Sequence, residues 1–377
     1  MLVEQLLTPA LLLDAGILEQ NLARMQKKIT ALGSGLRPHI KTHKCIEIGK
    51  RQRELGAKGI TVSTFYEAEQ FAKEGFSDIT WAFPLPPLYA VPAAKLATKI
   101  TFRIVIDSLE AAEHLEKACN VVGASPHVWL KIDCGNHRVG VDPASKLAEK
   151  LVRSLSESKT LLFDGILSHS GHAYYANSRK EILKVADQER DVMVEFAGRM
   201  RQTGYRVPEV SIGSTPSMSV IEDLGGVAEV RPGNYCFYDR TMLDLGVCGT
   251  EDCAVSVIAS VISHQQGASY FVIDAGALAL SKDLGASHVH KNPSMGALFE
   301  DYCKKRLNQR VALTTLSQEH GKVTANHSSE IEGSFHVGSK VRILENHSCL
   351  TVANFDEYYV VRGDEIVDRW KILRGRV

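Results

Sequence analysis

The chain has 377 residues, of which 44% are hydrophobic, and its 44 lysines and arginines equal its 44 aspartates and glutamates. This charge balance argues against nucleic acid or another polyanion as a partner. No run is apolar and long enough to span a membrane, and no basic leader with a cleavage pattern is present. The eight cysteines are scattered without a CxxC pair, so we expect a cytoplasmic protein without a disulfide framework.

Short β-rich segments alternate with helical patterns from residue 36 onward. Eight strands are predicted in chain order: GLRPHIKT, GITVST, DITWAF, TFRIVID, HVWLKID, LFDGILSH, EVSIGS and VAEVRPG. Apolar residues recur at helical spacing in five segments between them, namely 46–55, 66–73, 109–121, 144–155 and 178–203. This alternation predicts a (β/α)₈ barrel, in which the carboxyl ends of the strands carry the chemistry.

The pattern changes after Tyr238 to strand-like runs without long helices. These runs are CAVSVIASVIS, SYFVID, RVALTTLS, KVRILEN and EYYVVRGDEIVDRWKI. We therefore predict an α/β fold with two domains, a barrel of residues 10–245 and a β-rich domain of residues 246–377. Residues 1–9 can pack with the second domain.

The first predicted strand, LRPHIKTHK, carries a titratable side chain at every second position. On an extended segment these side chains share one face: Arg37, His39, Lys41 and His43. The other face is a poor apolar stripe, so we expect the polar face to line a site. A lysine buried there has a lowered pKa and can form a Schiff base. From spacing alone, an ion pair between Lys41 and Asp133 is equally possible.

Two turns follow the last two predicted strands. SIGSTPS (211–217) comes after the seventh strand, and RPGN (231–234) comes after the eighth. Exposed amides and hydroxyls in such turns can bind a phosphate at the mouth of a barrel. Together with a buried lysine, the two turns predict a phosphorylated aldehyde cofactor.

Six segments resemble, in the same order, the D-serine dehydratase and D-threonine aldolase family of pyridoxal 5'-phosphate enzymes, which have the alanine racemase fold. They are LLTPALLLD, LRPHIKTHK, GILSHSGHAYY, SIGSTPS, EVRPGNYCFYD and NHSCLTVA. The resemblance implies that Lys41 binds the cofactor and that His169 stacks on its ring. It also implies phosphate contacts from Ser214, Thr215, Gly233 and Asn234.

Two further residues are candidate cofactor contacts. Arg138 closely follows the fifth predicted strand, and Tyr174 lies in the HSGHAYY segment. Tyr174 can instead simply cover the barrel mouth.

Arg231 precedes the PGN sequence, a position that faces the pyridine nitrogen of the cofactor in this fold type. Because arginine stays cationic, it disfavours protonation of that nitrogen and makes the ring a weaker electron sink. Elimination then needs help from elsewhere, which a metal could supply. The alternative is that Arg231 points away and pairs with Glu229 or Asp239.

The segment ENHSCLTVANFD contains the candidate metal ligands His347 and Cys349. On a strand, residues two apart share a face, and a thiolate with an imidazole favours zinc. From the residues alone, a buried histidine beside a small hydrophobic thiol is the commoner arrangement. The resemblance implies a metal site here: the aldolases have His-x-Asp with manganese or magnesium, and the dehydratases have His-x-Cys with zinc.

These features predict a zinc- and pyridoxal-phosphate-dependent dehydratase. Its substrate is expected to be D-serine or a related 3-hydroxy D-amino acid, such as D-threonine or 3-hydroxy-D-aspartate, and its products a 2-oxo acid and ammonia. The preference for D substrates comes from the resemblance, and a homodimer is expected by analogy.

Two other functions stay open at this point. One is a Mn²⁺- or Mg²⁺-dependent aldolase that releases glycine and an aldehyde, with His172 as a possible base. His172 can equally be a loop histidine without catalytic work. The other is an idle carrier of pyridoxal phosphate, which would need neither His347 nor Cys349.

Overall fold

The computed structural model describes residues 1–375, and the last two residues of the predicted second domain lie outside them. The chain forms two units. The barrel unit contains Arg24–Gly233 with Gly375, and the β unit contains Met1–Ala23 and Asn234–Arg374. Within the described range, no helix combines the length and the apolar character needed to cross a bilayer.

Two elements precede the barrel strands, β1 (Ala10–Asp14) and α1 (Ala15–Ala31). The strands of the barrel unit are β2 (Gly35–Leu36), β3 (Ile60–Val62), β4 (Asp78–Pro84), β5 (Thr101–Ile106), β6 (His127–Lys131), β7 (Leu162–Leu167), β8 (Glu209–Ile212) and β9 (Glu229–Val230). Its helices are α2 (Ile46–Glu54), α3 (Phe65–Lys73), α4 (Ala90–Ala97), α5 (Leu109–Val122), α6 (Lys146–Glu157), α7 (Arg179–Gln202) and α8 (Thr215–Val220).

The eight barrel strands form one parallel sheet in the order β2-β9-β8-β7-β6-β5-β4-β3. A parallel bridge between His39 and Thr61 joins the segment after β2 to β3, so the two ends of the sheet meet. The predicted barrel is confirmed. The five predicted helices agree with α2, α3, α5, α6 and α7 to within about two residues.

The first predicted strand is wrong beyond Leu36. Pro38 has no N–H to donate to a neighbouring strand, and residues Ile40–Thr42 form a 3₁₀ turn instead. The amides of His43 and Lys44 both donate to the carbonyl of Ile40, at 3.1 and 2.7 Å. The predicted alternation of side chains therefore ends at His39, and His43 turns away to hydrogen-bond with Gln52 of α2 at 3.3 Å.

The β unit contains the remaining elements. Its strands are β10 (Val255–Ser263), β11 (Tyr270–Ile273), β12 (Ala297–Asp301), β13 (Arg306–Leu307), β14 (Val311–Leu316), β15 (Gly321–Ala325), β16 (Lys340–Leu344), β17 (Glu357–Arg362) and β18 (Glu365–Lys371). Its short helices are α9 (Arg240–Asp244), α10 (Ala277–Leu280) and α11 (Ser348–Val352).

The predicted domain boundaries differ from these units at both ends of the barrel. Strand β1 pairs antiparallel with β10 and parallel with β17, in the sheet order β13-β12-β16-β10-β1-β17-β18. Its residues Leu11, Leu12 and Leu13 are fully buried, so this placement removes their apolar surface from water. Residues 10–23 and 234–245 consequently belong to the β unit.

A network of buried ion pairs occupies the barrel interior near the amino ends of the strands. Arg37 bonds to both Glu229, at 2.7 Å, and Asp78. Arg103 also bonds to Asp78, and its Nε lies 2.7 Å from Asp164. Arg37 and Glu229 are only 2% and 1% exposed, so each buried charge would be costly without its partner.

Replacing Arg37 by Met is expected to lower the free energy of unfolding by about 3–5 kcal/mol, because it leaves the buried Glu229 carboxylate without its partner. The matched control is Lys50→Met. Lys50 pairs with Glu74 at 3.8 Å with both side chains about half exposed, so its loss should cost about 0–1 kcal/mol. Urea denaturation measures both values, and equal losses would contradict a supporting role for the buried pair.

Candidate active site

Lys41 lies in the 3₁₀ turn at the carboxyl end of the barrel strands, between two histidines in space. Its amide is 3.4 Å from Nδ1 of His39. Burial and the charge of Lys41 hold the pKa values of His39 and His169 well below the usual range. Both imidazoles beside Lys41 are therefore neutral.

Lys44, the other lysine of the KTHK sequence, is held by a buried acid. Its Nζ bonds to Glu67, which is fully buried. Glu67 also accepts hydrogen bonds from the amides of Ser63 and Thr64, at 2.8 and 3.2 Å. Lys44 thus has a structural partner at the start of α3, which leaves Lys41 as the candidate to bind a cofactor.

His169 is oriented by the turn that follows β8. Its Nδ1 donates to the carbonyl of Gly213 at 3.2 Å, which leaves Nε2 as the acceptor of the neutral ring. Its neighbours Ser168 and Ser170 are fully buried. The ring of His169 therefore has a defined orientation before any ligand binds.

Arg231 is buried and donates to Ser211 Oγ and to the carbonyl of Ser168. Ser211 in turn donates to Glu229 at 2.8 Å, and Glu229 forms its ion pair with Arg37. Burial lowers the pKa of Arg231 to about 10, so it remains cationic at neutral pH. The alternative of a direct pair with Glu229 is not observed: one serine lies between them.

The predicted phosphate turn caps helix α8. Ser214 is the N-cap, and its Oγ accepts from the amide of Ser217 at 3.4 Å. Ser214 and Thr215 are both buried. Gly233, in the second turn, could not carry a side chain, because a Cβ there would lie 2.8 Å from the carbonyl of His39. The backbone of this turn can therefore approach a ligand closely.

Lys131, at the carboxyl end of β6, was not predicted as a site residue. It is 7% exposed, and burial together with the charge of Arg231 lowers its pKa to about 7. Its signal in the sequence was its position in HVWLKID, where it alternates with His127 and Trp129. Lys131, Arg231 and Lys41 give this end of the barrel a positive charge that suits an anionic cofactor.

Arg138 and Asp133 lie in the loop after β6. Arg138 is exposed, but its charge lowers the pKa values of Lys131 and His169, which places it near both. Asp133 accepts from the amides of Gly135 and His137, both at 3.0 Å, and so stabilises its own loop. The suggested role of Asp133 as an ion-pair partner of Lys41 has no support in these contacts.

His172 and Tyr174 lie in a 3₁₀ turn, Gly171–Tyr175, after β7. Burial lowers the pKa of His172, so its ring is neutral. Its Nδ1 is buried and has no hydrogen-bond partner among the described residues. This nitrogen could accept a proton or a ligand, whereas Tyr174 is partly buried in the same turn.

His347 and Cys349 lie at the start of α11 in the β unit, not on a strand as predicted. His347 is the N-cap, and Cys349 is the second residue of the helix. Their side chains still meet, since they hydrogen-bond to each other. Nδ1 of His347 lies 3.0 Å from Asp283 Oδ2, which leaves Nε2 as the nitrogen for Cys349 and, with it, for a metal.

The fit of this pair to a metal can be judged from the ligands present. Residues 1–375 contain no cluster of three or more His, Cys, Asp or Glu side chains arranged to hold a metal ion. His347 and Cys349 would therefore supply two ligands, and the remaining ligands would have to come from water or substrate. Imidazole and thiolate suit zinc in particular.

Asp239 joins the candidate metal helix to a candidate phosphate residue. Its Oδ2 accepts from Asn234 Nδ2 at 2.6 Å and from the amide of Ser348 at 3.0 Å. Asn234 Oδ1 is buried without a hydrogen-bond partner among the described residues, so it has an acceptor left for a ligand or water. Neither Asp239 in this role nor Asp283 was predicted, because Ser348 is 109 residues from Asp239 and His347 is 64 residues from Asp283.

Comparisons with known proteins identify the family. The model of the alanine racemase N-terminal domain matches residues 13–241, more than half of the chain. The model of the serine dehydratase domain matches residues 254–361. The chain belongs to this family. Relatives that combine these two domains are pyridoxal-phosphate-dependent lyases, and this protein is also such a lyase.

Three relatives span almost the whole chain. D-threo-3-hydroxyaspartate dehydratase of Delftia sp. is 36% identical and aligns over 98% of this chain and 97% of its own. D-serine dehydratase of Dictyostelium discoideum is 36% identical over the same shares. D-threonine aldolase of Arthrobacter sp. is 26% identical over 97% of this chain and 92% of its own.

Solved structures of D-threo-3-hydroxyaspartate dehydratase resemble the present structure closely. One of them, a Cys-to-Ala variant in the metal-free form, has a TM-score of 0.94 and 35% identity with full coverage of both chains. Another is a His-to-Ala variant with the same TM-score. The histidine and the cysteine replaced in that enzyme are two positions apart, as are His347 and Cys349 here.

Borohydride reduction of the protein with bound pyridoxal phosphate is expected to label Lys41. Lys44 is held by Glu67, and Lys131 is the competing amine because its pKa is about 7. Peptide mass spectrometry locates the reduced pyridoxyl group, and a Lys41→Ala variant, which should lose the visible absorbance band, is the control. A label on Lys131 or Lys44 would contradict the assignment.

Lys131→Met is expected to raise the free energy of unfolding of the cofactor-free protein by about 2–4 kcal/mol at pH 7. The unfolded lysine binds a proton up to its ordinary pKa of 10.5, whereas the folded one releases it near pH 7. Wild-type stability should therefore rise between pH 7 and 10.5, and the advantage of the variant should shrink over that range. Denaturation at several pH values tests this, and a gain independent of pH would refute it.

Proposed function

We propose that the protein is a pyridoxal-phosphate- and zinc-dependent dehydratase, an ammonia-lyase. Its substrate is D-serine or a related 3-hydroxy D-amino acid, D-threonine or 3-hydroxy-D-aspartate, and its products are a 2-oxo acid and ammonia. The observation that carries the proposal is the contact between His347 and Cys349, with Asp283 holding the histidine ring. A thiolate in this position favours zinc over the harder metals.

The relatives support this choice. The two at 36% identity are dehydratases, and one solved structure of the first is a Cys-to-Ala variant in the metal-free form. That cysteine follows a histidine by two positions, the spacing found here between His347 and Cys349. The same metal role in this chain is the simplest reading of the matching pair.

The barrel unit fits pyridoxal phosphate. Lys41 would hold the aldehyde carbon, and the turns of Ser214, Thr215 and Gly233 would hold the phosphate. When bound, the cofactor supplies a conjugated system that withdraws electrons from the α-carbon of an amino acid. The cationic groups Lys131, Arg231 and Arg138 favour binding of its anionic oxygens.

In this proposal, Lys41 is the residue that moves a proton. When it is not bound to the cofactor, the Nζ of Lys41 would be the base for the α-proton of the substrate. The neutral rings of His39 and His169 next to it add no positive charge, so they do not further depress the basicity of the freed amine. Arg231, still cationic, is expected to face the pyridine nitrogen and to disfavour its protonation.

The departure of the β-hydroxyl is then the demanding step. Hydroxide is a poor leaving group, and the ring would withdraw less charge because Arg231 opposes its protonation. His347 and Cys349 would hold zinc, a Lewis acid that can stabilise the charge developing on the hydroxyl oxygen. Asp283 fixes the tautomer of His347 and keeps its Nε2 available as a ligand.

Aldol cleavage to glycine and an aldehyde is the second candidate function. It needs a base for the β-hydroxyl proton, and His172 has a neutral ring with a buried, unpartnered Nδ1. The aldolase relative spans nearly the whole chain, but at 26% identity. Cys349 in place of a carboxylate argues for elimination, since manganese and magnesium prefer oxygen ligands.

Homodimerisation and a cytoplasmic location stay predictions. Closed twofold assembly is the commonest arrangement of soluble enzymes, and the eight free cysteines agree with a reducing compartment.

Removing metal with a chelator is expected to abolish formation of 2-oxo acid and ammonia from D-serine, by about 100-fold or more, while the absorbance of bound cofactor remains. Hydroxide departure loses its Lewis acid, whereas Lys41 and the phosphate turns are untouched. Elemental analysis confirms removal, and added zinc should restore the rate. An unchanged rate in metal-free protein would refute the zinc role, and glycine with an aldehyde as products would identify an aldolase.

Asp283→Asn is expected to weaken zinc binding by about 10- to 100-fold, because the carboxylate that orients His347 is lost. Asp356→Asn is the matched control, since Asp356 is 87% exposed in the same unit and pairs only with Arg374 among the ion pairs described. Competition with a chromophoric chelator measures both affinities. Equal affinities in the two variants would show that Asp283 does not support the metal.

A further inference from the structure

Glu189 of α7 is a fully buried acid that no part of the proposed reaction uses. Its Oε1 accepts from Ser168 Oγ at 2.7 Å and from the amide of Gly213 at 3.3 Å. Its Oε2 accepts from Ser170 Oγ at 2.6 Å. One carboxylate thus connects a helix outside the barrel with the segments after β7 and β8.

These contacts surround two protein elements that are candidates to bind the cofactor, His169 and the Ser214 turn. Ser168 and Ser170 flank His169 in the chain, so their bonds to Glu189 fix the backbone on both sides of that ring. Gly213 gives its amide to Glu189 and its carbonyl to His169 Nδ1, at 3.3 and 3.2 Å. Gly213 also directly precedes Ser214, the N-cap of the phosphate turn.

A chain of hydroxyl groups runs from Glu189 to the phosphate turn. Ser170 Oγ lies 2.8 Å from Ser217 Oγ, which lies 2.9 Å from Ser214 Oγ. An ionised carboxylate can only accept, so Ser170 must donate to Glu189. Its oxygen is then an acceptor for Ser217 or Ser214, which sets the direction of donation in the hydroxyl chain.

The carboxylate of Glu189 also lies near the cations of the site. It acts on Lys131, Arg231 and His172, favouring the protonated form of each. Burying an ionised carboxylate is costly unless donors and opposite charges surround it, and here it has both. The acid therefore offsets part of the repulsion among the barrel cations.

We propose that Glu189 is the positioning residue of the cofactor site, which holds His169 and the Ser214 turn in the geometry that binds the ring and the phosphate. This inference rests on the proposed function only in taking pyridoxal phosphate as the ligand. Glu189 touches neither group of the cofactor in this proposal. It acts through Ser168, Ser170 and Gly213.

Glu189→Gln is the sharpest variant, because it keeps the shape of the side chain but has only one oxygen. The amide cannot accept from Ser170 on one side and from Ser168 and Gly213 on the other, so one side of the cluster must reorganise. Pyridoxal phosphate should bind about 10- to 100-fold more weakly. The ³¹P NMR signal of the bound phosphate should shift, a change that a purely structural role would not produce.

Glu195→Gln is the matched control, since Glu195 is exposed on the same helix, and it should leave both readouts unchanged. Ser170→Ala removes a single hydroxyl and should weaken cofactor binding in the same direction, so it decides the matter if Glu189→Gln does not fold. If folded Glu189→Gln binds the cofactor within about twofold of wild type and its ³¹P signal is unshifted, the proposal for Glu189 is overturned. The proposed function is not affected by that result. A wild-type protein that binds no pyridoxal phosphate would overturn the proposed function as well.

Discussion

Buried charge has to be compensated inside this barrel, and much of the structure follows from that constraint. The side chains that fill the interior include arginines, lysines and acids where an ordinary barrel carries branched apolar residues. Near the amino ends of the strands, Arg37 and Arg103 are paired with acids. Near the carboxyl ends, cations outnumber acids, and Glu189 is the buried carboxylate that faces them.

Glu229 connects the charged side chains near the amino ends of the strands with those near the carboxyl ends. It pairs with Arg37 below and accepts from Ser211, which itself accepts from Arg231 above. The orientation of Arg231 is therefore set by a structural ion pair two side chains away. A barrel built in this way ties the stability of its interior to the geometry of its candidate site, so the cations of that site cost less to hold in place.

The fold was predictable because it rests on periodicity. Eight predicted strands alternating with five predicted helices define a barrel even where the bounds of a single strand are wrong. All five predicted helices agree closely with helices of the structure. The errors had one local and one long-range cause. Pro38 ends the first strand early, and the HSC segment forms a helix start because Ser348 bonds back to Asp239, more than a hundred residues earlier in the chain.

The candidate site was predictable where a motif carried it, as for Lys41, His169 and the two turns. Lys131, Glu189, Asp239 and Asp283 were missed for a common reason. Each has a partner on another element of the fold, and a lone acid in a helix such as α7 looks like any solvated residue until the fold shows it to be buried. Spacing reveals neighbours on one element, but not the contacts between elements.

The central position of β1 in its sheet constrains how the chain folds during synthesis. Residues Ala10–Asp14 leave the ribosome long before their partners β10 and β17, which begin at Val255 and Glu357. At about 5–20 residues per second, this strand waits on the order of 10–50 s before its first partner exists. Throughout that time the apolar sequence ALLL is an unpaired edge open to chaperones or to other nascent chains. The β unit thus closes only after most of the polypeptide has been translated.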